Sequence, residues 1–476
     1  MSNADVPVMQ DSRRGRTLGW ILFAIFLMAY AWAYAFLGSI LILEKNVNRK
    51  DNIQAGFIDA VYQTAALGTE SAEMRHSFTA KFTRLLPQYT DGVVDPLFPW
   101  LLQGFAEESP DELFQSGKWM NLILSGGLLI ILGIAAARSF SFLGAAAMIL
   151  LGGFGVVLER STFFSSDALY CLLMVLTWLS ALSLIRQNSL WLYGVFGVLL
   201  GITFLAKAMV WPVALGFVLV SLARSLLRGF RHRKGEERDD LWVPSNQLVG
   251  FAILLASFLI VVGPRLSYAN ERFGSATHAY QNYFIWMDSP ARSAQFQADF
   301  PTRKELDLIA PGEAPGLRSF LRAKGAQELF TRAGLGALSQ LRSSALGRGV
   351  WILLYGFLVF LVIAGIHRWV MTKQNLEIWR VRGTSARWML LFLVVVCATS
   401  FAYAGIGTPV ISAHPLVTAL FMPILVTFIW IAERYRRQVQ RSQYATLVNR
   451  VYVVLMWIPI LWMSVRIFQG LRIPVS

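Results

Sequence analysis

The chain is constrained most by a series of long stretches that contain no Asp, Glu, Lys or Arg. They run over 17–43, 119–137, 139–158, 168–185, 187–206, 208–223, 241–264, 349–366, 388–432 and 451–465. A helix needs about 20 apolar residues to cross the hydrocarbon core of a bilayer. In that core every backbone N–H and C=O must be satisfied within the protein, so helices are the natural spanning element. The 388–432 stretch is long enough for two helices and breaks at Gly405-Ile-Gly407-Thr-Pro409 and at His414-Pro415, because Gly and Pro punctuate helices. Eleven spans follow. The stretches 208–223 and 451–465 are short, and the flanking Arg224 and Arg466 reach the interface by snorkelling. The 17–43 stretch is too long for a signal-peptide core and has no clear small-residue cleavage site after it, so it reads as an uncleaved anchor. The expected fold is an all-α polytopic membrane protein, a single integral membrane domain over 1–476.

Composition agrees. The chain is 55% hydrophobic and 15% charged, too apolar for disorder. It has only two cysteines, Cys171 and Cys397, both inside expected spans, so neither a disulfide scaffold nor thiol chemistry is implied. The formal net charge of +15 would suggest nucleic acid on a soluble protein. Here position explains it. With Arg13, Arg14 and Arg16 in the cytosol, the inner segments hold Arg138, Arg186, the run Arg228 to Arg238, Arg368 to Arg387 and Arg434 to Arg450. The inner side then carries +13 and the outer side +2, as the positive-inside rule requires of short loops. The excess is a topology signal, and no nucleic-acid partner is expected.

Two long loops, 44–118 and 265–348, fall outside. The first carries an amphipathic stretch, Phe57 to Leu67, and later Phe98-Pro99-Trp100-Leu101-Leu102. The second carries Tyr280, Tyr283, Phe284 and Trp286, a Pro/Gly turn region, and an amphipathic helix around 317–341. Short helices lying on the membrane face are expected in both.

Ionisable residues beside membrane helices are costly to keep and are functional candidates for that reason. Asp59 follows the first span, and Asp167 enters the fourth after Glu159 and Arg160. Two carboxylates facing one outer cavity provide a general base and a clamp for a metal or sugar. Asp59 is equally readable as a solvated loop acid. Asp167 is equally readable as a first-turn acid stabilised by the helix dipole, or as a partner for Arg160. Lys207 interrupts a long apolar stretch at the expected outer surface, where it meets a lipid phosphate or serves as an ordinary interfacial lysine. His414 opens the tenth span. The segment Tyr280 to Asp288, with Tyr283, is aromatic with one acid and can stack on a sugar or form an interfacial belt. Arg265 and Arg272 follow the seventh span as phosphate binders or simple flanks. No nucleotide or cysteine-rich metal signature occurs.

Four features in order give the chain a resemblance to the GT-C superfamily of membrane glycosyltransferases, in the branch of protein O-mannosyltransferases and lipid A aminoarabinose transferases. They are Asp59 with Tyr62, Pro96-Leu97-Phe98-Pro99-Trp100-Leu101, Arg160 to Asp167-Ala168-Leu169, and Leu200-Gly201-Ile202-Thr203-Phe204-Leu205-Ala206-Lys207. The likeness covers about residues 17–226. It implies a polyprenyl-phosphate-linked sugar donor and an acceptor that is lipid, glycan or protein, with transfer on the outer face of a membrane; a bacterial inner membrane is expected, with the N-terminus in the cytosol from the charge distribution. The resemblance further implies Asp59 and Asp167 as catalytic carboxylates and Lys207 and Arg160 as binders of the donor phosphate, while Tyr62, Glu159, Tyr283, Asp288 and His414 are candidate substrate contacts read from the residues themselves. A divalent cation, magnesium or manganese, on Asp59 and Asp167 is the cofactor it allows. The paired Asp-Glu of many members is reduced to Asp59 alone. Two other readings stay open. One is a transporter or flippase of lipid-linked sugars, against which the charges cluster at the outer face and not at the midplane. The other is a non-catalytic scaffold of a polysaccharide export system.

Overall fold

The computed structural model describes residues 13–45, 52–70, 86–87, 89–90, 92, 94–233, 245–300, 315–345, 349–374, 384–410, 415–440 and 442–471. Among them no strand occurs. The chain opens with α1 (Arg13–Ile40), α2 (Asn52–Glu70), α3 (Leu97–Leu102) and α4 (Pro110–Ser139). Next comes α5 (Phe142–Gly152), prolonged by a π-helical turn Gly153–Val157 and a last turn Leu158–Ser161. Then follow α6 (Asp167–Gln187), α7 (Leu190–Ala206), α8 (Trp211–Arg233) and α9 (Ser245–Phe273). The second loop carries α10 (Pro290–Asp299) and α11 (Leu317–Ala345). The chain ends with α12 (Gly349–Gln374), α13 (Thr384–Ile406), a short turn of helix Pro415–Ala419, α14 (Phe421–Val439) and α15 (Ala445–Leu471).

Ten of these helices are long and apolar enough to cross a membrane. The eleventh expected span is α7, apolar throughout but only 17 residues long. The chain is an integral membrane protein of the expected all-α class, and the break of the 388–432 stretch into α13 and α14 falls where Gly and Pro were read as punctuation. Both amphipathic loop stretches are helical, as α2 and α11. The latter is interrupted at Gly325, whose φ of 81° lies in the left-handed region that glycine tolerates best.

The interior of the bundle is formed by α5, α6 and α14, whose apolar windows are far more buried than those of α1, α9, α12 or α15. A helix apolar on all sides is stable only where every side has a neighbour or lipid. Here Trp178 of α6 donates its indole N–H to Thr427 of α14 at 2.8 Å and packs on Phe392 of α13 at 4.5 Å between ring centres. α6 ends because Asn188 adopts φ 45°, a left-handed cap, and its side chain accepts from the Tyr193 hydroxyl at 2.9 Å. α7 lies against α9 through small residues. A methyl group at Gly201 would come within 2.8 Å of Val261, and small residues are how membrane helices approach closely without a hydrophobic drive to pair them.

Candidate functional site

Two chain breaks meet at one end of the bundle. α5 finishes at Ser161 and α6 begins at Asp167. The five residues between are tied down by Asn121 of α4, whose amide donates to the carbonyls of Phe163 and Ser165, each at 3.1 Å. α7 stops at Ala206, and Lys207 takes an extended backbone, φ −157° and ψ 126°, before the chain re-enters helix. This break turns the Lys207 side chain toward the start of α6. Its Nζ lies 2.6 Å from Asp167 Oδ1, while Arg160 Nη1 lies 3.2 Å from Asp167 Oδ2. Arg160 also donates to Thr418 Oγ1 at 3.0 Å. Asp167 thus holds two cations, one on each oxygen, and the triad carries one net positive charge.

A second acid stands beside this triad. Asp95, just before α3, accepts from the backbone N–H of Ala208 at 3.3 Å, the residue after Lys207. Its other oxygen lies 3.7 Å from Arg265 of α9. Arg265 is only 2% exposed and stacks over Phe204 at 5.2 Å. A charge so deeply buried must be matched, and Asp95 matches it while pinning the backbone that aims Lys207. One helical turn beyond Asp167 lies Tyr170, buried, its hydroxyl without a hydrogen-bond partner among the described residues. Buried hydroxyls are nearly always bonded, so this one marks a polar point of the site.

The other residues singled out from the sequence are spread elsewhere. Asp59 is exposed on α2, whose opposite face buries Phe57, Ile58 and Val61 against Phe98 and Phe164. No contact joins Asp59 to Asp167 or Lys207 among the described residues. Tyr62, one turn along, donates to the Glu108 carbonyl at 3.0 Å. Burial, helped by the charges of Asp59 and Glu108, raises its phenol above the usual value. Glu159 is exposed, and its carbonyl rather than its carboxylate is used, accepting from Thr162 Oγ1 at 2.8 Å. Tyr283 packs on Phe296 and near His278. Asp288 pairs with Lys324 at 2.8 Å and Arg332 at 3.2 Å. The Lys324 hydrogen bond, reinforced by both positive charges, holds its carboxyl below the usual Asp range. His414 lies outside the described residues.

The triad of Arg160, Asp167 and Lys207 therefore comes together, while Asp59, Tyr62, Asp288 and Tyr283 belong to other local clusters. Asp95 and Tyr170 were not singled out from the sequence. Asp95 is an acid in a long loop, 113 residues from the amide it holds, and its neighbour Pro96 was noticed only as part of an apolar motif. Arg265, a phosphate binder or a simple flank by sequence, pairs with Asp95. No protein-family model, no curated protein and no solved structure matches the chain.

Proposed function

We propose that the protein is a glycosyltransferase that moves a sugar from a polyprenyl-phosphate donor to an acceptor on the outer face of the membrane. The observation that carries this reading is the triad at the membrane end of α6. Two cations held by one carboxylate leave a net positive charge for a phosphate oxygen, with donors already oriented. Lys207 suits the task because Asp167 takes one of its three N–H donors and the others are available to a phosphate. In the reaction, an acceptor oxygen forms a bond to the anomeric carbon of the sugar. The bond from that carbon to the phosphate oxygen breaks, and its electron pair leaves with the polyprenyl phosphate. Lys207 and Arg160 stabilise this developing charge. The acceptor proton passes to a carboxylate and then to water; we assign this role to Asp59, outside the triad but exposed on the helix whose Phe57 packs on Phe164 in the loop before Asp167. Asp95 and Arg265 keep Lys207 in place. Both oxygens of Asp167 face cations, and a divalent ion there would displace them, so no step is routed through a metal.

The test is transfer by the purified full-length protein with a panel of polyprenyl-phosphate hexoses and pentoses carrying a radiolabelled sugar. Wild type is expected to release polyprenyl phosphate and labelled product, Lys207→Met to lose this, and Asp59→Asn to lose it while still binding the donor. Equal turnover in Asp59→Asn and wild type removes the base role. Movement of the donor across vesicle membranes without bond cleavage overturns the enzyme reading in favour of a flippase.

A further inference from the structure

The other end of α6 carries a second charged feature. Asp167 and Arg186 are separated by 19 helical steps, about 28 Å along the axis, so this end lies across the membrane from the triad. Here a cavity of about 580 Å³ opens between the ends of α4, α6 and α14. Its walls are partly apolar, with Leu179 and Trp430, and its rim carries Arg138, Arg186, Arg434 and Arg437 with the single acid Glu433.

Arginines in the last turn of a helix offset its dipole, and Arg138 and Arg186 each occupy that position. That accounts for each arginine alone. It does not account for four of them converging on one cavity from three helices that are not consecutive in the chain. Glu433 is 1% exposed and held by Arg436 at 2.6 Å and Arg437 at 3.0 Å, and among the described residues it pairs with neither Arg138 nor Arg186. Arg138 and Arg186 are exposed and make no ion pair among the described residues. Like charges gathered around a pocket repel one another unless an anion joins them. Guanidinium groups bind phosphate through paired N–H donors, and basic pockets between membrane helices at the inner surface suit lipid headgroups.

We propose that this cavity binds a phosphate group at the membrane surface, carried by an anionic phospholipid headgroup or present as the free anion. The site is separate from the triad, and its existence does not depend on glycosyl transfer. The test uses the purified full-length protein in two arms. In one, native mass spectrometry counts retained phosphatidylglycerol against phosphatidylcholine. In the other, thermal unfolding is followed with millimolar inorganic phosphate against chloride at equal ionic strength. Wild type is expected to prefer phosphatidylglycerol, phosphate or both, and the arm that responds names the source. At roughly fivefold per arginine near an anionic surface, Arg138→Gln with Arg186→Gln is expected to weaken binding on the order of 25-fold. The corresponding double change to Lys is expected to keep most of it. Ser183→Phe, which narrows the cavity without altering charge, is expected to block binding as well. No preference in either arm, or wild-type binding by the double Gln variant, overturns the proposal.

Discussion

Asp167 and Asp288 each sit between two basic side chains, Arg160 and Lys207 in one cluster and Lys324 and Arg332 in the other. They differ in what else those cations touch. Arg332, 7% exposed, is nearly saturated. Besides Asp288 it donates to the carbonyls of Ile406 at 2.7 Å, Ile285 at 3.2 Å and Met287. It fastens the second loop to the end of α13, and close packing of Gly336 against Gly405 accompanies it. The Lys207 side chain, by contrast, bonds only Asp167 among the described residues, and Arg160 adds only Thr418. Arg332 thus makes a structural clasp by spending most of its donors on backbone carbonyls, whereas Arg160 and Lys207 bond side chains alone among the described residues. Charge composition does not tell the two clusters apart; what the arginine of each one holds does.

The sharpest way to break this comparison is to remove one lysine from each cluster. Lys207→Met is expected to lower the transfer rate on the order of 10²–10³-fold, the usual cost of deleting a preorganised charge stabiliser. Lys324→Met is expected to leave it within about twofold, measured with the same radiolabelled donor. Comparable losses in both would erase the distinction. Stability should show the reverse order. Arg332→Met leaves three carbonyls without their donor and is expected to cost roughly 2–3 kcal/mol. Arg160→Met, at a quarter-exposed site with one carboxylate and one hydroxyl to lose, is expected to cost about 1 kcal/mol. Denaturation of the two variants in detergent measures this difference, and a larger loss for Arg160→Met would contradict the clasp.

The smallest effect concerns acid. The Asp288 carboxyl is held below its usual range in the folded protein, so its pair stabilises fully above the unfolded value of about 3.9. That contribution disappears as the pH falls through the lowered folded value. With Asp288 46% exposed, the contribution is a few tenths of a kcal/mol. Asp288→Asn is expected to flatten the corresponding part of the thermal-midpoint profile below about pH 4. An unchanged profile would mean that Lys324 and Arg332 hold the loop without it.

Part of this was legible in the sequence, and for a local reason. The spans showed as uncharged stretches because the bilayer imposes a length and a composition on each helix separately. Lys207 stood out because it interrupts such a stretch. Arg160 and Asp167 stood out because they flank one, only seven residues apart. Asp95 did not stand out, since nothing near it in the chain distinguishes it from the other acids of its loop. Asp288 was grouped with the aromatic residues beside it in sequence, whereas its partners lie 36 and 44 residues away on α11.

The amino-acid sequence by itself determined the membrane-embedded, all-helical class and the approximate bounds of the spans. These follow from the cost of desolvating each segment, which is set residue by residue. Only the tertiary structure decided which charges meet. An ion pair at about 3 Å depends on where a broken helix such as α7 stops and what an Asp95 from a distant loop holds in place. It also decided that four arginines from α4, α6 and α14 surround one cavity. Such pairings are long-range in the chain and short-range in space.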